Sequence, residues 1–88
     1  KGIAEVLMKN IIIVSVEKRQ AVSVKVQTIL TEFGCMIKTR LGIHDSSAAY
    51  CSENGLIILE CIGSKKDVSV LNKKLSAVKG VKSKHVTI

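Results

Sequence analysis

Proline and tryptophan are absent from this 88-residue sequence, and its aromatic residues are Phe33 and Tyr50 alone. The lack of proline excludes a rigid linker or a PxxP segment. Two aromatic residues cannot supply the base-stacking platform of an RNA-recognition module, which needs aromatics on its central strands. At 9.5 kDa the chain suffices for one small domain, and we predict a single domain over residues 1–88.

Long apolar runs are also missing, since no unbroken run exceeds four residues. A membrane span needs roughly 20 apolar residues, so we expect no membrane segment, and the N-terminus lacks the apolar core of a signal peptide. The three cysteines, Cys35, Cys51 and Cys61, are an odd number without a CxxC pair, which does not fit a secreted disulfide framework. The sequence therefore predicts a cytoplasmic protein with reduced thiols.

Positive charge is in excess but dispersed. Lysine and arginine total 14 against seven acidic residues, for a net charge of +7, and no run of five basic residues occurs. This pattern excludes a basic arm. We interpret the lysines as solvated faces that keep an apolar-rich chain in solution. Binding of nucleic acid through a basic surface remains an alternative.

Aliphatic side chains are abundant, because 47% of the residues are apolar, and this composition excludes a disordered tail. Apolar residues spaced by three and four predict a helix over residues 20–33 and a second helix between Ser64 and Gly80. Ser64 to Asp67 forms a capping box at the start of the second helix. β-branched or alternating segments predict four strands, over residues 7–16, 35–43, 56–62 and 81–88, with a loop over 44–54.

The predicted order β-α-β-β-α-β is that of the α+β ferredoxin-like fold. Right-handed crossovers place both helices on one face of a four-stranded antiparallel sheet with the spatial order 4-1-3-2. Strands one and three are then central, and both are continuously apolar, over Ile11–Val14 and Leu56–Leu59. Because the helices cover one face only, the other would present an aliphatic patch to water, which soluble monomers avoid.

We therefore expect a partner to cover this patch. A second copy of the same sheet is the simplest cover, which would make the protein a homo-oligomer, either a dimer or a tetramer. A missing partner domain is the alternative. The residues predicted to form the interface are Ile11, Ile13, Ile57 and Leu59.

The predicted loop after strand two carries the densest set of reactive side chains. His44 and Cys51 are candidate ligands for zinc or nickel, with Cys61 or His85 completing the set. A catalytic Cys–His pair would also need an orienting third group and an oxyanion site. The sequence points to neither, so we predict that the protein is not an enzyme.

Arg40 and Gly42 complete the predicted ligand site with His44 and Cys51. We place Arg40 on the open face of strand two, either as an exposed edge residue that discourages aggregation or as a contact for a carboxylate or other anion at a subunit interface. Gly42 would mark a bulge or a close backbone approach by a partner or ligand.

Four segments together resemble a known family: Ile11–Val22, Thr39–His44, Cys51–Leu59 and Gly80–Lys82. Over nearly the whole chain they resemble the small bacterial iron-only hydrogenase system regulators, which are ACT-like proteins related to the C-terminal domain of the nickel-responsive repressor. The resemblance implies an ACT-like fold, assembly through the sheet and a regulatory role. The paired histidines of the nickel sensor are matched here by Arg40–Ile43, so nickel binding is not implied.

These observations predict a non-catalytic, ACT-like module that senses a small-molecule effector and acts as a homo-oligomer. An effector at the subunit interface would favour one assembly over another. The alternatives are a metal-binding protein that uses the loop after strand two and a basic domain that binds nucleic acid.

Overall fold

The computed structural model of the chain describes residues 9–17, 20–43 and 54–88. A short 3-10 turn, Gly34–Met36, follows the first helix and delays the start of the second strand to Ile37. The order of elements confirms the predicted β-α-β-β-α-β arrangement. In chain order the elements are β1 (Asn10–Glu17), α1 (Gln20–Glu32), β2 (Ile37–Ile43), β3 (Asn54–Cys61), α2 (Lys65–Ser76) and β4 (Val81–Thr87).

The four strands form one antiparallel sheet in the order β2-β3-β1-β4. This is the predicted spatial order 4-1-3-2 counted from the opposite edge. β1 pairs with β3 on one side and with β4 on the other, so β1 and β3 are the central strands. The α+β ferredoxin-like fold is therefore confirmed.

Both helices pack on the same face of the sheet. The core joins side chains from α1 and α2 to residues of the central strands, because each helix places its apolar residues three or four positions apart on one side. Neither described helix has the length and apolarity that a membrane span requires. The fully buried side chains are Ile12, Val14, Val26, Leu59, Val68, Leu71 and Leu75.

The start of α2 follows from its local sequence. The hydroxyl of Ser64 accepts a hydrogen bond from the backbone N–H of Asp67 at 3.1 Å, which satisfies one of the free amides of the first turn. Asp67 in the first turn and Lys73 and Lys74 in the last turn have the charges that the helix dipole favours at each end. The Ser64 half of the predicted capping box is confirmed.

The glycines that follow the two helices differ in conformation. Gly80, after α2, has a φ of +91°, and a Cβ at this position would lie 2.7 Å from Oε2 of Glu17, so a larger residue would be strained. Gly34 does not have a positive φ. At Gly34 the chain tightens into the 3-10 turn, so α1 ends without a left-handed C-cap.

Candidate functional site

In the described part of the chain, no element covers the sheet face turned away from the helices. In β1, Ile12 and Val14 are fully buried, whereas Ile13 between them is 38% exposed. Successive side chains of a strand point to opposite faces, so Ile11 and Ile13 lie on this uncovered side. We call it the open face. By strand register its residues are Ile11, Ile13, Ser15, Thr39, Leu41, Leu56, Ile58, Glu60, Lys82, Lys84 and Val86.

Two of the four predicted interface residues point the other way. The register pairs Ile57 and Leu59 with the two fully buried residues of β1. Leu59 is itself fully buried, and Ile57 packs against the core. The assignment of Ile57 and Leu59 to the interface is therefore wrong. β3 is apolar on both sides, so its composition does not show which side the helices cover. Leu56 and Ile58 occupy the open face instead.

A β-bulge in β2 decides which of its side chains face the helices. Two steps along β2, from Ile37 to Thr39, match one step along β3, from Cys61 to Glu60. Lys38 is the extra residue. A shift of one residue moves every later side chain of the strand to the opposite face, so the alternation that begins at Ile37 is reversed beyond the bulge.

Arg40 consequently lies on the helix side of the sheet and not on the open face. It pairs with the buried Leu59, while its neighbour Leu41 is on the open face and 52% exposed. The Nη2 of Arg40 donates a hydrogen bond to Oε1 of Gln27 on α1 at 2.6 Å. The predicted placement of Arg40 on the open face is wrong because it assumed unbroken alternation through Lys38, whereas its role as a ligand contact stays a prediction.

Gly42 does not form the bulge that was one of its two predicted roles. The bulge lies at Lys38, four residues earlier in the chain. Gly42 pairs with Ile57 on the helix side, and a Cβ at this position would meet nothing within 4 Å. Within the described chain no close contact requires glycine there, and a close approach by a partner or ligand stays a prediction.

His44 and Cys51, the other two predicted ligand residues, lie outside the described residues. Their roles remain predictions. Within residues 9–17, 20–43 and 54–88, no three histidine, cysteine, aspartate or glutamate side chains are grouped so that they could hold a metal ion.

Cys61 and His85 are both on the helix side of the sheet and engaged in the fold. Cys61 is a free, buried cysteine. Burial, with a smaller contribution from the carboxylate of Glu60, raises the pKa of its thiol, which disfavours the thiolate that binds metals. The Nε2 of His85 lies 2.9 Å from Oδ1 of the buried Asn10.

An open, shallow groove, lined mostly by apolar atoms, runs along the outer side of α1. It was not found by sequence reasoning, because hydroxyl and amide side chains on a helix ordinarily face solvent. The sequence did contain a signal for this surface, because the residues on this side of α1, which are spaced three and four apart, carry no charge. Val24, its one aliphatic side chain, is 57% exposed. The lining residues are Gln20, Ser23, Val24, Gln27, Thr28 and Thr31.

The groove and Arg40 meet at Gln27. Gln27 lines the groove, and its side-chain oxygen accepts the hydrogen bond from Arg40. The structure thus brings the predicted anion contact Arg40 next to an exposed and mostly apolar surface of α1. Arg40 is the one member of the predicted ligand site for which the described residues show a polar side-chain contact.

Comparison with solved structures shows the fold. The chain is similar to the uncharacterized protein TM1266 from Thermotoga maritima, with a TM-score of 0.79 and 24% identity, over 91% of this chain and 95% of that one. It is also similar to a formyltetrahydrofolate deformylase from Pseudomonas putida, with a TM-score of 0.55 and 13% identity. That match covers 89% of this chain but 28% of the deformylase.

No family model matches the sequence, and no curated protein matches it significantly. The two structural similarities are consistent with the ACT-like, ferredoxin-like arrangement. They do not name the iron-only hydrogenase system regulators.

Proposed function

We propose that the chain is a small, non-catalytic regulatory module that senses an effector and works as a homo-oligomer. The fold similarities support a small regulatory module in general. The observation that carries the proposal is the open face, an aliphatic sheet surface that no described element covers. Membership of the hydrogenase system regulators, which the sequence resembles, is the finer part of this proposal.

The centre of the open face is a row of aliphatic side chains across three strands. Ile13 pairs with Ile58, and Ile58 pairs with Leu41 on its other side. Ile13 and Leu41 are 38% and 52% exposed. Covering apolar surface contributes about 25 cal/mol for each Å² removed from water, so this row favours association.

The open face is large enough for a specific interface. Strands of seven and eight residues at standard spacings give a surface of roughly 25 by 19 Å. Two such faces in contact would bury on the order of 1,000 Å², and more once the relief of the side chains is included. This value is at the lower limit for stable interfaces, which suits an assembly that an effector can shift.

Charged side chains lie at one end and along one edge of the apolar centre. Oε2 of Glu60 lies 3.5 Å from Nζ of Lys9 and 4.0 Å from Nζ of Lys38, and Lys82 and Lys84 lie on the edge strand β4. An apolar centre with charged side chains of both signs at its rim is the usual anatomy of a protein interface. At an edge the lysines can keep their ammonium groups in water while their aliphatic stems cover the centre.

Regulation would follow from unequal affinity of an effector for two assembly states. A tenfold change in the assembly equilibrium needs a difference in binding free energy of about 1.4 kcal/mol. A few hydrogen bonds to a charged group can supply a difference of this size. A weak interface therefore suffices for a regulatory response.

The test is the mass of the protein in solution. Light scattering after size exclusion, over a wide range of concentration, should show an oligomer for the wild-type chain and a monomer for Ile13→Lys. Val70→Lys is the matched control, because Val70 is a 45% exposed aliphatic residue on α2, and it should assemble like the wild type. Circular dichroism should show that both variants are folded. A monomeric wild type, or an Ile13→Lys variant that still assembles, would contradict the proposal.

A further inference from the structure

The open face carries its positive charge unevenly, and this restricts how two copies can meet. We propose that two copies pack open face to open face about a two-fold axis parallel to the strands, so that β4 of each copy lies over β2 of the other. The inference rests on the proposed function, for which it specifies the arrangement of the partner. It gives Lys84 the role of a residue that selects this arrangement.

One row of side chains crosses all four strands of the open face. Leu41 pairs with Ile58, which pairs with Ile13. Lys84 pairs with Ile13 on its other side. The row therefore starts with an aliphatic residue on the edge strand β2, where Leu41 is 52% exposed, and ends with an exposed lysine on the edge strand β4.

The positive charge on β4 has no acidic partner in the described part of the chain. Lys82 and Lys84 are two positions apart, so both point to the open face, and both are exposed. The ion pairs that the described residues form involve Lys9, Lys38 and Lys74 instead. An arrangement that brings the β4 edges of two copies together would therefore bring like charges together.

Two sheets that pack face to face keep their strands within about 30° of each other and lie roughly 10 Å apart. A symmetric pair then has its two-fold axis either across the strands or along them. With the axis across the strands, each strand lies over its own copy. Lys82 and Lys84 of both copies would gather along one edge of the interface, which like-charge repulsion opposes.

With the axis along the strands, between β1 and β3, the row of side chains meets itself in reverse. Ile58 then faces Ile13 of the second copy, and Leu41 faces Lys84 of the second copy. The aliphatic stem of a lysine can cover an exposed leucine while its ammonium group stays in water. The lysines of the two copies lie at opposite edges, so the distribution of charge favours this axis.

The test compares two substitutions of Leu41 that differ in the sign of their charge. Leu41→Glu would place a carboxylate opposite Lys84 of the second copy, whereas Leu41→Lys would place an ammonium group there. Sedimentation equilibrium of the full chain should give a dissociation constant about tenfold higher for Leu41→Lys than for Leu41→Glu, because the two-fold axis repeats the contact. Circular dichroism should show that both variants are folded, since Leu41 is exposed.

The matched controls for net charge are Val70→Glu and Val70→Lys, because Val70 is an exposed aliphatic residue on α2. At a salt concentration of about 0.15 M their dissociation constants should differ by less than about twofold, since distant surface charges are screened.

A double variant makes the test reciprocal. Leu41→Lys combined with Lys84→Glu restores opposite charges across the proposed contact, so it should associate about tenfold more tightly than Leu41→Lys alone. With the axis across the strands, each new charge would face its own copy, and the second substitution would give no such gain.

Equal dissociation constants for Leu41→Glu and Leu41→Lys, or a double variant that associates no more tightly than Leu41→Lys, would overturn the arrangement. If the wild type assembles and Ile13→Lys does not, either of those results refutes the axis along the strands and leaves the proposed function intact. A wild type that is monomeric at every concentration would show that a different partner covers the open face, and would refute both proposals.

Discussion

Ile12 and Ile13 are identical neighbours in β1 that face opposite sides of the sheet, so substituting each with alanine compares the two faces directly. Ile12 is fully buried and Ile13 is 38% exposed. Both substitutions remove the same atoms from the same strand, so effects on the unfolded chain largely cancel. A difference in stability then reports the difference between the surroundings of the two side chains.

The losses in the free energy of unfolding that we expect for the two substitutions differ by more than the uncertainty of each. Ile12→Ala should lower the free energy of unfolding by about 2–5 kcal/mol, as truncations in a packed core do. Ile13→Ala removes three carbons that are partly in water already, and at roughly 0.8 kcal/mol for a fully buried CH₂ we expect about 1–1.5 kcal/mol. In a domain of this size Tm should fall by more than about 10 °C for Ile12→Ala and by about 5–10 °C for Ile13→Ala.

Urea unfolding followed by far-ultraviolet circular dichroism measures both losses, and the chain has no tryptophan for a fluorescence signal. The titration is run at a low and a high protein concentration. If a second copy covers the open face, association stabilises the folded chain by mass action. The loss for Ile13→Ala should then grow with concentration, and the loss for Ile12→Ala should not.

Equal losses at low concentration would refute the assignment of faces in β1. A loss for Ile13→Ala that is the same at both concentrations would leave that assignment intact but refute association through the open face. The two results are separate because the first concerns packing within the chain and the second concerns contact between chains.

Three further predictions concern stability. Ser64→Ala removes the N-cap of α2 and should cost about 1 kcal/mol in urea unfolding; an unchanged midpoint would show that the cap is dispensable. Gly80→Ala places a methyl group 2.7 Å from a carboxylate oxygen of Glu17 at a positive φ and should cost about 1–3 kcal/mol or more. Gly34→Ala, where a Cβ meets nothing within 4 Å, should cost little in the same assay. Burial raises the pKa of the Cys61 thiol. The protonated thiol therefore contributes to stability in full below the ordinary thiol pKa of about 8.5, and this contribution is lost as pH rises towards the pKa of the thiol in the folded chain. Above that pH the free energy of unfolding should therefore fall less steeply with pH in Cys61→Ala than in the wild type. Identical slopes in the two proteins would refute the effect.

Local features of the sequence were sufficient for the order of elements and for several of their ends. The residues that form the buried side of each helix are spaced three and four apart in the chain, and Ser64 lies three residues before the amide that it caps. Interactions of this kind involve near neighbours, so their pattern is visible in one dimension. The ferredoxin-like order followed from six such segments and the handedness of crossovers.

The candidate site was predicted only in part. Arg40 was identified as a candidate anion contact because a guanidinium is suited to forked pairing with a carboxylate. Its partner Gln27 was not identified, since a glutamine on a helix has no distinctive pattern. The pair forms only when β2 returns beside α1, which the spacing of 13 residues does not reveal.

Composition and periodicity were enough to show that the chain has two amphipathic helices, four strands and more apolar strand surface than two helices can cover. Which side of each strand is covered became visible once the strands were paired in the folded chain. The central strands are apolar on both sides, so composition cannot separate Leu59 from Ile58, and the register with β1 does so. The bulge at Lys38 likewise moves Arg40 to the helix side. The physical reason is that a strand alternates with a period of two, so a single unpaired residue, set by contacts far apart in the chain, reverses every assignment that follows it.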